Sequence, residues 1–445
     1  MREKLGKNAI ANILKLCSLV AFFCVLNMSP IFAANLVNSY RECKPKIIEV
    51  TSGVYVAVGN TRANIVLIEG NNGVIVVDTG DSIESANRVL SQFQKITQKP
   101  VKAIIYTHSH YDHIGGTRAF VNSDRINIYA RDNFKNIGTE KQQQNIYSTR
   151  SPFQQGTFTS PEEIQSLDPI WCQFPFGAIA DGFLPPNRQF SEETISLNIA
   201  GIALELIAAP GESDDQLYVW LPDKKVLLCG DNFYLRFPYL SSLRGSYQDP
   251  QQWILSLDKI LDIQPNYLIS GHALPISGSE KIKQTIYNYR NGIASIFEQT
   301  LAGMNRGLTP DELVKVVQLP PELAKKPYLQ ENFGSISWTV RGIYSHYLGW
   351  FDGNPTHLFP LSPLDNALHI ARLTGGKEQL WQATREAFDD GDDRWVLELT
   401  DYLMTLEFRS EAVKKLRVQT LTKLAKQQAN GNAKHYYLSS TKQLE

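Results

Sequence analysis

Apolar, β-branched runs recur in the first part of the chain, at residues 54–58, 65–68 and 74–77, with clusters rich in Gly and Asn between them. That spacing predicts sheet strands, and the third run is apolar enough to be central. Helical periodicity over 83–96 leads into another apolar run at 103–106, which delivers Thr107 and His108. Strand-like runs return at 203–206, 217–220, 226–229 and 267–269, with a helical stretch over about 250–261 before the last. This order predicts an α/β sandwich with helices outside the sheets. Residues 131–195, rich in Gln, Ser, Pro and Gly, break the pattern. They are expected to cross the sandwich as a long excursion of the sort that shapes a pocket.

From about residue 278 the strand pattern stops and helical periodicity continues to the C-terminus. Thr309-Pro310-Asp311-Glu312 combines a capping box with proline at the first helical position, so a new helical unit is expected to start there. Further helices are expected over 338–347, 377–388, 395–406 and 412–428. Their pairing is compatible with a tetratricopeptide-like array. No strict repeat period is present, however, and a plain helical bundle accounts for the pattern equally well.

The N-terminus carries Arg2, Lys4 and Lys7, then an apolar run over 16–28 interrupted by Ser18 and Asn27, then Pro30 and the small pair Ala33-Ala34. This is the layout of a cleavable signal peptide over residues 1–34, and it predicts a periplasmic or secreted protein. The run is shorter than the roughly 20 residues of a bilayer-spanning helix, so no integral membrane segment is expected. A retained amphipathic anchor is the alternative. Cleavage leaves Cys43, Cys172 and Cys229, an odd number at long separations and no disulfide framework. A Cys43–Cys172 bridge is permitted by export but not indicated by spacing, and Cys229 sits in an apolar run as a core thiol. With 44 Lys and Arg against 45 Asp and Glu, the chain lacks the basic excess that a nucleic-acid binder uses on phosphates. Its 445 residues suffice for two or three domains, here divided after the signal into 35–277 and 278–445.

Thr107-His108-Ser109-His110-Tyr111-Asp112-His113 puts His108, His110, Asp112 and His113 on one short loop directly after an apolar strand. In a chain with only 8 His, that clustering is specific. Imidazole nitrogens and a carboxylate oxygen suit zinc best, and iron or manganese also fits. One loop cannot close two coordination shells. Glu212 after Pro210-Gly211, Asp231 after Gly230 and His272 after Gly271 each follow an apolar strand and a Gly. Alone, each has an ordinary reading as a helix cap or surface acid, a turn residue or a loop histidine. Their recurrence at successive strand ends favours a metal centre.

The His-x-His-x-Asp-His loop with its Gly-Asp and Gly-His steps resembles the metallo-β-lactamase superfamily. Glu212 after the Pro-Gly step and Leu243-Arg244-Gly245 after Asp231 bring the closer resemblance to the linear alkyl sulfatases. The stretch from Tyr347 through Gly349-Trp350-Phe351-Asp352-Gly353-Asn354-Pro355 to Leu361-Ser362-Pro363 is similar to that family's helical dimerisation domain. The resemblance implies an αββα metallo-β-lactamase sandwich followed by an all-α dimerisation domain. It also implies a homodimer, to which Trp338, Tyr344, Tyr347 and Trp350 offer an aromatic stripe. It further implies two zinc ions per chain, one on His108, His110 and Glu212, the other on Asp112, His113 and His272, with Asp231 between them. Asp78 would orient a ligand, Arg244 would grip a sulfate group with Asn232 assisting, and Asp231 and Asp112 would orient water or accept protons. The implied substrate is a small sulfate ester with an apolar chain, cleaved to alcohol and sulfate. Phe174, Phe176, Phe183, Phe233, Phe237 and Tyr239 are candidates to contact that chain, although each taken alone reads more simply as core or dimer-interface packing.

Four departures from the family bear on long-chain specificity and leave metal binding intact. Asp231 is one methylene shorter than the family's glutamate. Phe153-Gln154-Gln155-Gly156 stands where the family has a Tyr-Gly step, and Gln248 or a neighbour stands where it has a second arginine. The family's sterol-carrier-like module is expected to be absent, since the chain ends soon after Tyr437-Leu438. Two other readings stand beside this one: hydrolysis of another ester, lactone or lactam at the same site, and a non-catalytic exported binding protein whose helical half does the work.

Overall fold

The computed structural model describes residues 45–121, 126–135, 149–158, 182–245 and 247–444. Among them, thirteen strands form two sheets. The first runs in sequence order: β1 (Lys46–Thr51), β2 (Val54–Val58), β3 (Ile65–Glu69), β4 (Val74–Val77), β5 (Val101–Ile105), β6 (Asn127–Arg131) and β7 (Arg188–Phe190). Its first four strands are antiparallel neighbours, and β4 to β7 run parallel. The second sheet contains β8 (Thr194–Ile199), β9 (Ile202–Ala208), β10 (Leu217–Leu221), β11 (Val226–Leu228), β12 (Tyr267–Ile269) and β13 (Ile276–Ser277). Its order from one edge is β13-β12-β11-β10-β9-β8, with only β11 and β12 parallel.

The two-residue period of the strands sorts their side chains into layers. Val54, Val56, Ile75, Val77 and Ile105 point inward and meet Leu204, Leu206, Leu217, Val219 and Leu228 of the second sheet. Truncating Leu206 to Ala in this layer is expected to cost about 2–5 kcal/mol. The alternate residues Val74, Val76 and Ile104 face the other way and pack on Ala86, Val89 and Phe93 of the helix Ile83–Phe93. Tyr218 and Leu227, on the outer face of the second sheet, pack on Trp253 and Leu257 of the helix Pro250–Ile263. Helix, sheet, sheet and helix follow one another, as the expected αββα sandwich requires.

Strands β1, β6, β7, β8 and β13 were not evident in the apolar pattern. β8 shows why: as an edge strand it alternates exposed and half-buried residues, so it contains no apolar run. The excursion over 131–195 accordingly contributes β7 to the first sheet and leads into β8 of the second. Cys229 is fully buried, as expected of a core thiol. The signal peptide, Cys43, Cys172, Phe174 and Phe176 lie outside the described residues.

The helical half begins with the helix Ser279–Asn305, whose Ile282, Ile286, Tyr289 and Ile293 share a core with Trp253 and Leu257. Sandwich and helices are therefore packed through one hydrophobic cluster. Thr309 and Glu312 form both bonds of the expected capping box at the start of the helix Pro310–Val316. The helices Pro363–Leu373, Lys377–Asp390, Asp393–Thr405 and Ser410–Gln427 surround a separate core that includes Leu380, Val396, Leu403 and Val413. The last helix, Gly431–Lys442, folds back onto the short helix Ser151–Gln155 beside the sandwich. The aromatic stripe of the helix Ile336–Leu348 is divided. Tyr344 is buried and Trp338 packs 6.1 Å from Tyr239, so only Tyr347 and Trp350 stay exposed. Among the described residues, no helix is long and apolar enough to cross a membrane.

Candidate metal centre

The loops after β4, β5, β9, β11 and β12 converge at one edge of the sandwich. Asp78 follows β4 with a positive φ of 56°, a conformation that aspartate tolerates better than most residues. That turn aims its carboxylate at the loop after β5. Asp78 Oδ1 accepts from Thr107 N–H at 2.8 Å, and Oδ2 accepts from Thr107 Oγ1 at 2.8 Å and from His113 Nδ1 at 2.7 Å. Two glycines allow the loops to close in. A Cβ on Gly116 would overlap the Thr79 carbonyl oxygen, and one on Gly271 would overlap Asp231 Oδ1 and come within 2.7 Å of His113 Cε1.

All seven predicted ligands come together, in the grouping expected from the sequence. His108, His110, Glu212 and Asp231 present one set of ligand atoms, and Asp112, His113 and His272 present a second. Asp231 Oδ2 lies between the sets, 3.8 Å from His108 Nε2, 3.4 Å from His113 Nε2 and 3.0 Å from His272 Nε2. Glu212 Oε2 is 3.1 Å from His110 Nδ1, and Asp112 Oδ2 is 3.4 Å from His272 Nε2.

The tautomers follow from the outer bonds. His113 donates its Nδ1–H to Asp78, and His272 donates its Nδ1–H to the Arg62 carbonyl at 2.9 Å. In the neutral rings both Nε2 atoms are therefore lone pairs, yet they face each other at 3.4 Å. His108 Nδ1 lies 3.0 Å from Thr107 Oγ1, whose proton goes to Asp78, so its Nε2 is a lone pair as well. Glu212 Oε2 and Asp231 Oδ1 are buried without a hydrogen-bond partner. Converging lone pairs and orphaned carboxylate oxygens are what a bound cation satisfies, and nitrogen with carboxylate oxygen is the donor set of zinc, iron or manganese. The residues fit such ions.

Charge within the cluster is arranged accordingly. Burial opposes ionisation of Asp231, but His272 and His113 outweigh it and hold the carboxyl well below its usual range. Burial likewise works against charge on His113 and His272, and carboxylates together overcome it, Asp231 and Asp78 at His113 and Asp231 and Asp112 at His272, raising both. Asp112 is lowered because His113 and His272 outweigh its burial. His108, buried beside His113 and His110, is pushed well below the ordinary histidine value.

A cavity of about 120 Å³ opens onto the cluster and has Arg244 on its wall. Arg244 Nη2 is 3.2 Å from His110 Nε2. Tyr239 also lines the cavity. Asn232 does not assist Arg244: it is fully buried, its Oδ1 accepts from Glu212 N–H at 2.9 Å, and its Nδ2 donates to the Ala209 carbonyl at 2.8 Å and Tyr218 Oη at 2.9 Å. Its bonds hold the loop that presents Glu212. Phe233 and Phe237 are core residues packed with Trp253, and Phe183 stacks near Tyr106 and Phe134. Sequence reasoning missed Phe333 and Asn432, which reach the cavity from the helical half, and Arg62 and Arg236. No local pattern marks them. Gln154 is also on the wall.

An αββα sandwich carrying this histidine and carboxylate cluster at its strand ends defines a protein of metallo-β-lactamase fold. Residues 58–272 match the metallo-beta-lactamase superfamily, and residues 309–445 match the alkyl sulfatase dimerisation family. A linear primary-alkylsulfatase of a Pseudomonas species is 35% identical over 389 residues, covering 85% of this chain and 73% of its own length. The alkyl/aryl-sulfatase BDS1 of Saccharomyces cerevisiae is 27% identical, covering 94% of this chain and 67% of its own. Among solved structures, the stereoselective inverting sec-alkylsulfatase Pisa1 from Pseudomonas superposes with a TM-score of 0.79 at 26% identity, over 90% of this chain and 65% of that one. The chain belongs to the alkylsulfatase family of the metallo-β-lactamase superfamily, and it spans about two thirds of the length of these relatives.

Proposed function

We propose that the protein hydrolyses alkyl sulfate esters to alcohol and sulfate with two divalent cations, zinc by preference, and that it works as an exported homodimer. The observation that carries this reading is Arg244, whose guanidinium stands on the cavity wall 3.2 Å from the ligand His110. His108, His110 and Glu212 would hold one cation and Asp112, His113 and His272 the other, with Asp231 shared. Divalent cations, when bound, supply the positive charge that makes hydroxide available near neutral pH. The planar fork of Arg244 suits the anionic head of the ester and keeps its reacting centre over the cluster. Asp231 and Asp112 orient the attacking water or accept its proton. Tyr234, Tyr239 and Phe333 offer apolar wall to the chain of the ester. The relatives' activity as alkylsulfatases supports the substrate class. Export rests on the three-part N-terminus, and the dimer on the matched dimerisation region.

The test is sulfate release from a short and a long alkyl sulfate by the purified protein, with metals counted by elemental analysis and with a lactone and a β-lactam as controls. Sulfate release with two metals per chain, lost in Arg244→Ala, is the expected result. Turnover of the lactone or β-lactam in preference to either sulfate would replace this reading with a different hydrolase. No turnover of any ester by the metal-loaded chain would point instead to a binding protein.

A further inference from the structure

The segment that departs from the family pattern has a task of its own. Gln154 is buried, with 4% of its surface exposed, and lies on the short helix Ser151–Gln155, which ends at Gly156 in the left-handed conformation. Its side-chain Oε1 accepts from the backbone N–H of Arg244 at 3.1 Å and from Ser242 Oγ at 3.2 Å. A backbone N–H can only donate, which fixes the orientation of the amide. The turn Ser242–Gly245, closed by Gly245 N–H to the Ser242 carbonyl at 2.9 Å, is thus tied to Gln154 at the residue that carries the guanidinium.

Gln154 is itself held from the far end of the chain. His435 Nδ1 donates to the Gln154 carbonyl at 3.3 Å, Ser439 Oγ donates to the Phe153 carbonyl at 3.3 Å, and the Phe153 ring lies 5.3 Å from that of Tyr436. All three come from the last helix, Gly431–Lys442, which also brings Asn432 to the cavity wall. A path of direct contacts therefore runs from the C-terminal helix through Gln154 to Arg244 and on to His110.

We propose that Gln154 is a positioning residue for substrate, which acts by fixing the Arg244 backbone so that its guanidinium meets the anionic head of the ester. The assignment rests on the role given to Arg244 above, and the experiment separates the two. Wild type, Gln154→Met, Arg244→Ala and the double variant are compared for KM and kcat on a short alkyl sulfate, for calorimetric binding of inorganic sulfate, and for metal content. Gln154→Met keeps the side-chain length and removes the acceptor. It should raise KM and weaken sulfate binding about tenfold, with kcat and metal content close to wild type. In the Arg244→Ala background the same substitution should change the residual binding of inorganic sulfate less than about twofold, because the group it positions is gone. Equal effects in both backgrounds, or loss of metal along with activity, would overturn the positioning role. An Arg244→Ala variant that binds and turns over sulfate esters normally would instead overturn the reading of Arg244 itself. Should Gln154→Met fail to fold, Gln154→Asn, which withdraws the acceptor by one methylene, takes its place in the same cycle.

Discussion

Asp78 Oδ2 accepts the Nδ1–H of His113 at 2.7 Å, and this bond decides that the Nε2 lone pair of His113 faces the cluster. The same carboxylate holds Thr107 at both its backbone and its hydroxyl, so the ligand loop and the ring are set by one side chain. Asp78→Asn keeps the shape but can present an N–H to His113 Nδ1, favouring the wrong tautomer. Metal affinity is expected to fall roughly 10–100-fold, as measured by competition with a chromophoric chelator. An unchanged affinity would show that the ring is oriented by packing alone.

Metal uptake by the chelated protein should depend on pH in a defined direction. His113 and His272 are raised above the ordinary value of 6.5 because the surrounding carboxylates outweigh their burial, so a cation competes with protons there up to a higher pH than at a free imidazole. Uptake therefore releases protons, and apparent affinity rises with pH. Calorimetry in two buffers of different ionisation enthalpy measures the number released. The same shifts govern the stability of the metal-free fold. Groups with raised values lend stability that is fully present below about 6.5 and lost as pH rises through their folded values. The depressed Asp231 lends stability above about 3.8 that is lost as acid protonates it. The stability of the chelated protein, read from chemical denaturation, should fall at both ends of the pH range. Metal-loaded protein should lose the alkaline decline, because the cation replaces the protons.

The centre was legible in the sequence because its signals are local. His108, His110, Asp112 and His113 lie on one loop, and Glu212, Asp231 and His272 each follow an apolar strand and a glycine that the close approach of the loops demands. What failed to show was direction. Asn232, next to Asp231, turns its amide into the loop of Glu212, and nothing in Gly230-Asp231-Asn232 distinguishes that from a turn toward the cavity. Phe333 and Asn432 line the cavity only because the helical half folds back on the sandwich, a tertiary event with no periodic signature. β8 was missed for a related reason, since the polar half of an edge strand conceals its apolar half.

The return of the last helix depends on Asn430. Its Nδ2 donates to the carbonyls of Glu331, Phe333 and Gly334 at 2.9, 3.1 and 3.0 Å, and its Oδ1 caps the helix through Ala433 N–H at 3.1 Å. Asn430→Ala removes the cap and leaves the Glu331 and Gly334 carbonyls short of a donor, while the Phe333 carbonyl keeps Asn432 Nδ2 at 2.9 Å. A loss of about 2–3 kcal/mol is expected in chemical denaturation. Because Phe333 is part of the cavity wall, KM should rise in the same variant, and a stability loss with unchanged KM would separate the helix from the site.

The stretch from Tyr347 to Leu373 predicts an interface between two copies of the chain. Trp350, Phe359 and Leu373 are 75, 93 and 82% exposed, with Tyr347, Leu348, Leu361 and Leu364 also open to solvent. A monomer rarely leaves so many large apolar residues exposed in one segment, and the matched dimerisation family covers all of them. The aromatic members, Tyr347, Trp350 and Phe359, are of the kind enriched in a buried interface core. Sedimentation should find a dimer at micromolar concentration, and Trp350→Asp combined with Phe359→Asp should give a monomer. The cluster ligands come from the sandwich loops, far along the sequence from this segment, so the monomer should retain its full complement of metal. If the double variant remains dimeric, the chains meet through a different surface.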